Sequence, residues 1–332
     1  MAGQKLKLRR AAALLVLIAS AAGFAFTLPG CAKVDDGWPD KGGPKVVVSF
    51  APLYCFAVNV AGDDATVRNL LTTTGPHHFN PTDKDARLLR RADIFFVNGL
   101  GLEGDKPDAM KRGSGNKKLN IVDLGAKIPA DKLFEGSCNH GEEEGEHHDE
   151  HGTDPHVWLN PDYAIMLVES IRDELKQADP NHAADYDRRA ADYSVKLHKL
   201  KADGIELLKD KKDRKLVTFH DSMTYFAKAF DLKIVGVVQK KPGSEPTDLA
   251  LKKLIALCAD DTAPVRVLCV EPQYGNSNSG RELLKILEHK KVPNPVLVEL
   301  DPLETVVPEQ LSAGWYEAKM RDNLENLARG MK

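Results

Sequence analysis

The sequence predicts an α/β fold of two similar lobes, each with a sheet rich in parallel strands. Short β-branched runs alternate with helical patterns in two separate blocks of the chain, which is typical of βα units around a parallel sheet. A long helical pattern separates the two blocks. The chain has 332 residues, which is enough for two domains of ordinary size, each with its own core.

The first block is assigned to an N-terminal lobe over residues 44–179. Thr82, with Asp85 three residues later, resembles a capping box and predicts that a helix begins there. Asn160 and Pro161 have the residue types of a helix cap and first helical position. The candidate strands are residues 45–50, 66–71 and 93–98, and the helical patterns between them are 53–61 and 82–91.

The second block is assigned to a C-terminal lobe over residues 210–332. Its candidate strands are residues 215–219, 233–238, 265–270 and 295–300. Helical patterns follow at residues 222–230, 247–260, 280–290 and 308–331. The same βα alternation therefore occurs twice in one chain.

A long helix is predicted between the blocks, over residues 180–209. Pro180 can open it, and its length would be roughly 45 Å at 1.5 Å per residue. It is either a stiff connector that limits hinge motion between the lobes or an ordinary amphipathic helix packed on one lobe. Its apolar and aromatic residues recur at alternating spacings of three and four, at Ala183, Tyr186, Ala190, Tyr193, Leu197 and Leu200.

The first thirty residues have the pattern of an export signal. A basic stretch from Lys5 to Arg10 precedes an apolar run from Ala11 to Phe26, which is short for a membrane span of about 20 residues. The sequence Leu-Pro-Gly-Cys at 28–31 resembles a lipoprotein signal peptidase site, although Pro29 is an unusual occupant. We expect a signal peptide over residues 1–30, lipidation of Cys31, a tether over residues 31–43, and a fold outside the cytoplasmic membrane.

The charge balance argues against nucleic acid as a partner. The net charge is −3, and removal of the four basic residues before position 31 leaves 42 basic against 49 acidic side chains, or −7. In an oxidising compartment, four cysteines beyond Cys31 could form two disulfides by any of three pairings. The apolar surroundings of three of them favour buried thiols instead. The four are Cys55, Cys138, Cys258 and Cys269.

Three histidines lie where an α/β fold places ligands, in turns beside the ends of strands. His77 and His156 each lie in a proline-bracketed loop, Gly-Pro-His-His-Phe-Asn-Pro and Asp-Pro-His-Val-Trp-Leu-Asn-Pro. His220 directly follows a candidate strand and precedes a helical pattern. Restricted loops of this kind can hold a ligand in fixed geometry, although His77 on position alone could equally be a polar surface residue.

The predicted fourth ligand is Asp301, which follows the last candidate strand. Three imidazoles and one carboxylate form a plausible tetrahedral zinc set, whereas oxygen-rich sites suit manganese or magnesium. Glu271 occupies an equivalent strand end and is the alternative carboxylate. His78 is an alternative nitrogen ligand beside His77.

An acidic, histidine-rich segment spans residues 138–152 and has no apolar side chain to anchor it. Such composition is typical of disorder. Imidazoles beside carboxylates bind zinc weakly even without fixed geometry, so we interpret the segment as a loop that gathers metal ahead of His156. An inert acidic linker is the alternative. The histidines of the segment are His140, His147, His148 and His151.

These motifs together resemble the ZnuA/TroA-like zinc or manganese solute-binding proteins of ABC transporters, bacterial solute-binding protein family 9. The likeness covers residues 45 to about 330 and rests on the loops around His77, His156 and His220, on Glu-Pro-Gln at 271–273 and on Leu-Asp-Pro-Leu at 300–303. It implies that the four ligand stations match His77, His156, His220 and Asp301. Manganese-binding members commonly carry a glutamate at the third station, so His220 favours zinc.

The resemblance also implies the architecture and the partners. Two α/β lobes would be joined by one long rigid helix, with the metal site in the cleft between them and only a small tilt on metal release. The partners would be a membrane permease and its ATPase, with the lipid anchor holding a monomer at the membrane. Zn²⁺ would be the transported ligand, with Mn²⁺ second.

Three other functions are alternatives to zinc transport. A manganese-specific binding protein would share the same fold. A zinc hydrolase would need an open coordination position, which a fourth protein ligand closes, and the chain has no His-Glu-x-x-His helix. A lipoprotein adhesin would need the same fold and anchor. The sequence therefore favours a non-enzymatic, extracytoplasmic zinc-binding protein.

Overall fold

Two four-stranded parallel sheets form the framework of the protein. The predicted signal segment, Cys31, Cys138 and the four histidines of the acidic segment lie outside the part of the chain that the structure describes. The side chain of His78 is also outside it. A computed structural model describes residues 37–136, 152–239, 247–260, 265–272 and 278–332.

The N-terminal sheet has the strand order β2-β1-β3-β4. Its central strands are continuous apolar runs, as expected for a parallel sheet covered on both faces. The strands are β1 (Lys45–Val48), β2 (Thr66–Asn69), β3 (Ile94–Val97) and β4 (Asn120–Asp123). The helices are α1 (Ala51–Ala61), α2 (Asp83–Leu89), α3 (Lys106–Ser114) and α4 (Pro161–Ala178).

Two predicted helix starts in this lobe are confirmed by their hydrogen bonds. The Thr82 side chain accepts from the Asp85 amide, and the Asp85 carboxylate accepts from the Thr82 amide, which is a complete capping box. The Asn160 side chain caps α4 by accepting from the Asp162 amide. β4 and α3 were not among the predicted elements, because β4 has only two apolar residues and gives little periodic signal.

The C-terminal sheet repeats the pattern with the strand order β6-β5-β7-β8. The predicted helix at 308–331 is shorter in the structure, since a 3-10 turn at Pro308–Gln310 is separated from the helix proper. The strands are β5 (Lys215–Thr218), β6 (Lys233–Val237), β7 (Val267–Val270) and β8 (Val296–Glu299). The helices are α6 (Thr224–Ala229), α7 (Asp248–Cys258), α8 (Asn278–His289) and α9 (Trp315–Gly330).

The long helix α5 (Ala183–Leu208) joins the two lobes. It packs against α1 and α4 of the N-terminal lobe and against α9 of the C-terminal lobe, which distinguishes it from a helix seated on one lobe. The Tyr193 hydroxyl donates to Glu317 of α9. Gly204 allows close approach, since a Cβ there would lie 2.5 Å from the Phe230 ring. The helix therefore contacts both lobes, as the connector interpretation predicts, and its effect on hinge motion stays a prediction.

The main apolar core is continuous from the N-terminal sheet through α5 into the C-terminal lobe. In β5, Leu216 belongs to this core, whereas Val217 belongs to a second cluster. Neighbouring strand residues point to opposite faces, so the second cluster covers the other face of the C-terminal sheet. Cys55, Cys258 and Cys269 are buried free thiols. Among the described residues, no helix is long and apolar enough to cross a membrane.

Candidate metal centre

Loops from both lobes converge on one buried cluster of titratable side chains. His220 lies two residues beyond β5, and Glu304 lies in the loop that follows β8. His77 is in the 3-10 turn Pro76–His78, and His156 precedes the 3-10 turn Val157–Leu159. Parallel strands bring such loops to the carboxyl edge of their sheet, where α/β folds bind ligands.

The cluster consists of His77, His156, His220 and Glu304, whose ligand atoms all lie within 4.8 Å of one another. The Nε2 atom of His156 is 3.3 Å from Nε2 of His77 and 3.4 Å from Nε2 of His220. Glu304 Oε1 lies 3.1 Å from His77, 3.3 Å from His156 and 3.8 Å from His220, measured to Nε2. Four ligand atoms thus surround one small volume.

These separations fit a tetrahedral ion. With metal–nitrogen bonds of about 2.0–2.1 Å, the edge of a regular coordination tetrahedron is about 3.3 Å. Four of the five measured edges lie between 3.1 and 3.4 Å. Three nitrogens and one carboxylate oxygen are also a donor set suited to zinc, because the nitrogens are borderline-soft and the carboxylate offsets one of the two charges.

Two further carboxylates fix the orientation of two of these imidazoles. Asp154 Oδ1 is 2.8 Å from His156 Nδ1 and also accepts the His156 amide at 2.9 Å. Glu271 Oε1 is 2.7 Å from His220 Nδ1. Both pairs are buried. A carboxylate on Nδ1 favours the tautomer that leaves Nε2 to bind a metal, and it increases the basicity of the ligand.

The electrostatics of the cluster favour an ionised carboxylate surrounded by imidazoles. Burial opposes ionisation of Glu304, but the neighbouring histidines hold its pKa well below the usual range. Burial also opposes protonation of His156, but Asp154 and Glu304 outweigh it and raise its pKa to about 10. Burial lowers the pKa of His77, with Glu304 acting in the opposite direction. A dication at this centre would take over the role of the proton on His156.

The fourth member of the cluster differs from the predicted Asp301, which is not in it. Oδ1 of Asp301 accepts the amide of Leu303 at 2.8 Å. The Asp301 amide donates to Oδ1 of Asn323, and the Asp301 carbonyl accepts from Nδ2 of Asn323. Leu303 has a positive φ of 62°, so the chain turns sharply after Asp301 and brings Glu304 inward. Burial raises the pKa of Asp301 to about 6. Because its carboxylate accepts the Leu303 amide, Asp301 shapes the turn that positions Glu304.

The other candidate residues have separate places. Glu271, the alternative carboxylate, is absent from the cluster and instead holds His220. Sequence reasoning missed Glu304 and the partner role of Asp154. The signals were modest: Glu304 is a second carboxylate in the same strand-end loop, and Asp154 lies two residues before His156.

Loss of charge at Glu271 should weaken metal binding through His220. We expect Glu271→Gln to reduce zinc affinity by about 10- to 100-fold, as is usual for the hydrogen-bond partner of a metal-binding imidazole. Competition with a zinc chelator measures this. Glu299→Gln, an exposed glutamate of the same lobe, is the matched control. Equal affinities for the two variants would contradict the role of Glu271.

Comparison with known proteins identifies the family. The model of the family described as "Zinc-uptake complex component A periplasmic" (ZnuA) matches residues 46–330. The chain belongs to the ZnuA family. This agrees with the family resemblance inferred from the histidine loops, and the two-lobed fold with its long helix agrees with the predicted architecture.

Individual relatives carry related names. The zinc-binding lipoprotein AdcA of Streptococcus pneumoniae is 33% identical over 287 residues, which cover 85% of this chain. The high-affinity zinc uptake system protein ZnuA of Bacillus subtilis is 33% identical over 228 residues, covering 66% of this chain and 69% of the relative. This chain spans only 54–56% of the length of the streptococcal AdcA proteins that it matches.

A solved structure shares the fold. The solute-binding protein FpvC of Pseudomonas aeruginosa in complex with Ni²⁺ superimposes with a TM-score of 0.71 at 26% identity, covering 87% of this chain and 97% of FpvC. The fold therefore occurs in a protein whose bound metal is nickel, so the fold alone does not determine the metal.

Proposed function

We propose that this protein captures Zn²⁺ outside the cytoplasmic membrane and delivers it to an ABC transporter permease for ATP-driven import. One observation carries the proposal: His77, His156, His220 and Glu304 place three nitrogens and one oxygen at the separations of a zinc tetrahedron. Family membership supports a role in uptake, as do the names of the relatives.

The donor set supports zinc over manganese. Manganese and magnesium favour oxygen ligands, whereas three of the four donors here are imidazole nitrogens. Nickel and copper also accept imidazole, and divalent metals bind a given nitrogen site in an order that does not single out zinc. Manganese is the second candidate ligand because the resemblance is to a family of zinc or manganese solute-binding proteins, and we assign selectivity against nickel and copper to the tetrahedral geometry.

Binding is favoured over catalysis because the site offers four protein ligands. A catalytic zinc keeps one position open for water or substrate, with three protein ligands. Glu304 is buried and lies close to all three histidines, so it would fill that fourth position. A hydrolase is accordingly the less favoured function.

The proposed location follows from the N-terminal sequence. A signal peptide ending at Gly30 would expose Cys31 for lipidation, and the lipid would hold the folded part near the permease. The name of the pneumococcal relative, a zinc-binding lipoprotein, supports this location. We propose a monomer that works with a separate permease and ATPase.

Direct titration tests the proposed function. The protein is stripped with a chelator, dialysed and titrated by calorimetry with Zn²⁺ and, separately, with Mn²⁺. We expect one tight zinc site and much weaker manganese binding. Weak, equal binding of both metals would overturn the assignment.

A further inference from the structure

Two short extended segments pair just before the loop of His156. Glu135 and Thr153 form an antiparallel bridge. On one side of it, the Gly136 amide donates to the Gly152 carbonyl at 2.6 Å. On the other side, the Asp154 amide donates to the Phe134 carbonyl at 2.9 Å. This small ladder joins residues 134–136 to residues 152–154.

The last rung of this ladder contains a side chain from the other lobe. In an antiparallel pair, every second pair of opposed residues exchanges both amide-to-carbonyl hydrogen bonds, and Phe134 and Asp154 occupy such a position. Phe134 and Asp154 exchange only one directly. For the other, the Tyr225 hydroxyl accepts the Phe134 amide at 3.1 Å and donates to the Asp154 carbonyl at 3.0 Å. The hydroxyl thus bridges the two backbone groups within the ladder.

Tyr225 reaches this position from α6, five residues after His220. It is fully buried, with its ring 4.9 Å from that of Phe134 and 5.4 Å from that of Tyr163, measured between centroids. Both contact residues belong to the N-terminal lobe. The loop of His220 is therefore tied to the opposite lobe through one aromatic side chain.

Asp154 connects this rung to the metal cluster, because its carboxylate holds both the amide and Nδ1 of His156. We propose that Tyr225 is a positioning residue for the metal site: its hydroxyl fixes the Asp154 backbone and so couples the His156 loop of one lobe to the His220 loop of the other. The proposal rests on the zinc-binding function proposed above.

The substitution Tyr225→Phe removes only the hydroxyl. The Phe134 amide and the Asp154 carbonyl would both lose their buried partner, a loss that is costly for each group. Asp154 would then hold His156 less firmly. We expect zinc to dissociate about tenfold faster, which corresponds to about 1.4 kcal/mol, while the association rate stays within about twofold, since affinity changes within one site act mainly on dissociation.

A double-mutant cycle separates positioning from a general loss of stability. If Tyr225 acts through Asp154, Tyr225→Phe should change the dissociation rate little in the Asp154→Ala background, where both hydrogen bonds from Oδ1 to His156 are absent. Tyr193→Phe is the matched control, because the Tyr193 hydroxyl is also hydrogen-bonded and its residue buried, but it contacts Glu317 away from the cluster. An unchanged dissociation rate in Tyr225→Phe, or full additivity with Asp154→Ala, would overturn the proposal.

A measurement without zinc keeps this inference separate from the proposed function. Amide hydrogen exchange of the metal-free protein should be at least about tenfold faster for Phe134 and His156 in Tyr225→Phe than in the wild type, and unchanged in Tyr193→Phe. Unchanged exchange would refute the positioning role. If the wild type itself bound no zinc, the function would fail, and the exchange data would still decide whether Tyr225 holds the His156 loop.

Discussion

Glu304→Gln is expected to weaken zinc binding by about 10²- to 10³-fold. Structural zinc sites contribute about 10–16 kcal/mol through four ligands, or about 2.5–4 kcal/mol for each, and every 1.4 kcal/mol is a factor of ten. Glu304 also supplies the only negative charge among the four donors. Glutamine keeps the shape of the side chain and removes that charge. Competition with a chelator of known affinity gives the ratio.

Asp301→Asn is the matched comparison for Glu304→Gln, because it makes the same change three residues earlier in the same loop. Asparagine can still accept the Leu303 amide, so the turn should persist and zinc affinity should stay within about threefold. A larger loss in Asp301→Asn than in Glu304→Gln would restore Asp301 as the ligand and contradict the cluster described here.

His220→Ala should have an effect of similar size, about 10²- to 10³-fold on zinc, by the same estimate for each ligand. It should act less on manganese, because an imidazole contributes more to zinc than to a metal that favours oxygen. The ratio of zinc affinity to manganese affinity should therefore be smaller in the variant than in the wild type. Titration of both metals into the variant and the wild type measures this selectivity directly.

His198→Ala provides the control for the loss of an imidazole. His198 is exposed on α5 and lies outside the cluster, so its removal should leave both metal affinities unchanged. Thermal unfolding of the metal-free variants shows whether each one is folded. If His220→Ala bound zinc as tightly as His198→Ala, His220 would have no role as a ligand.

Much of the fold could be predicted from the sequence because its strands are continuous apolar runs. Strand β1 is predicted directly by the apolar run Val46, Val47 and Val48. The stripe of Tyr186, Tyr193 and neighbouring apolar residues predicted α5, and each of these two tyrosines is buried. Strand β4 gave too little signal, since an edge strand that buries few side chains has no strong pattern.

The metal cluster could be predicted only where the chain is locally constrained. His77 and His156 follow prolines, and His220 lies just beyond a strand, so their loops have few conformations. The loop after β8 is longer. Its course depends on the left-handed conformation of Leu303, which a leucine rarely adopts and no local pattern indicates. Glu304 therefore enters the cluster through tertiary structure and not through a pattern that the sequence reveals.

Helix α5 acts as a lever for the metal cluster, because both lobes are fixed along it. A rotation of about 3° acting over about 20 Å, half the length of this 26-residue helix at 1.5 Å per residue, displaces an atom by about 1 Å. Metal–ligand distances tolerate only about 0.2 Å. A change too small to alter the outline of the molecule would thus break the coordination sphere. Under the proposed function, a transporter that tilted one lobe slightly would then release an ion that is otherwise held tightly.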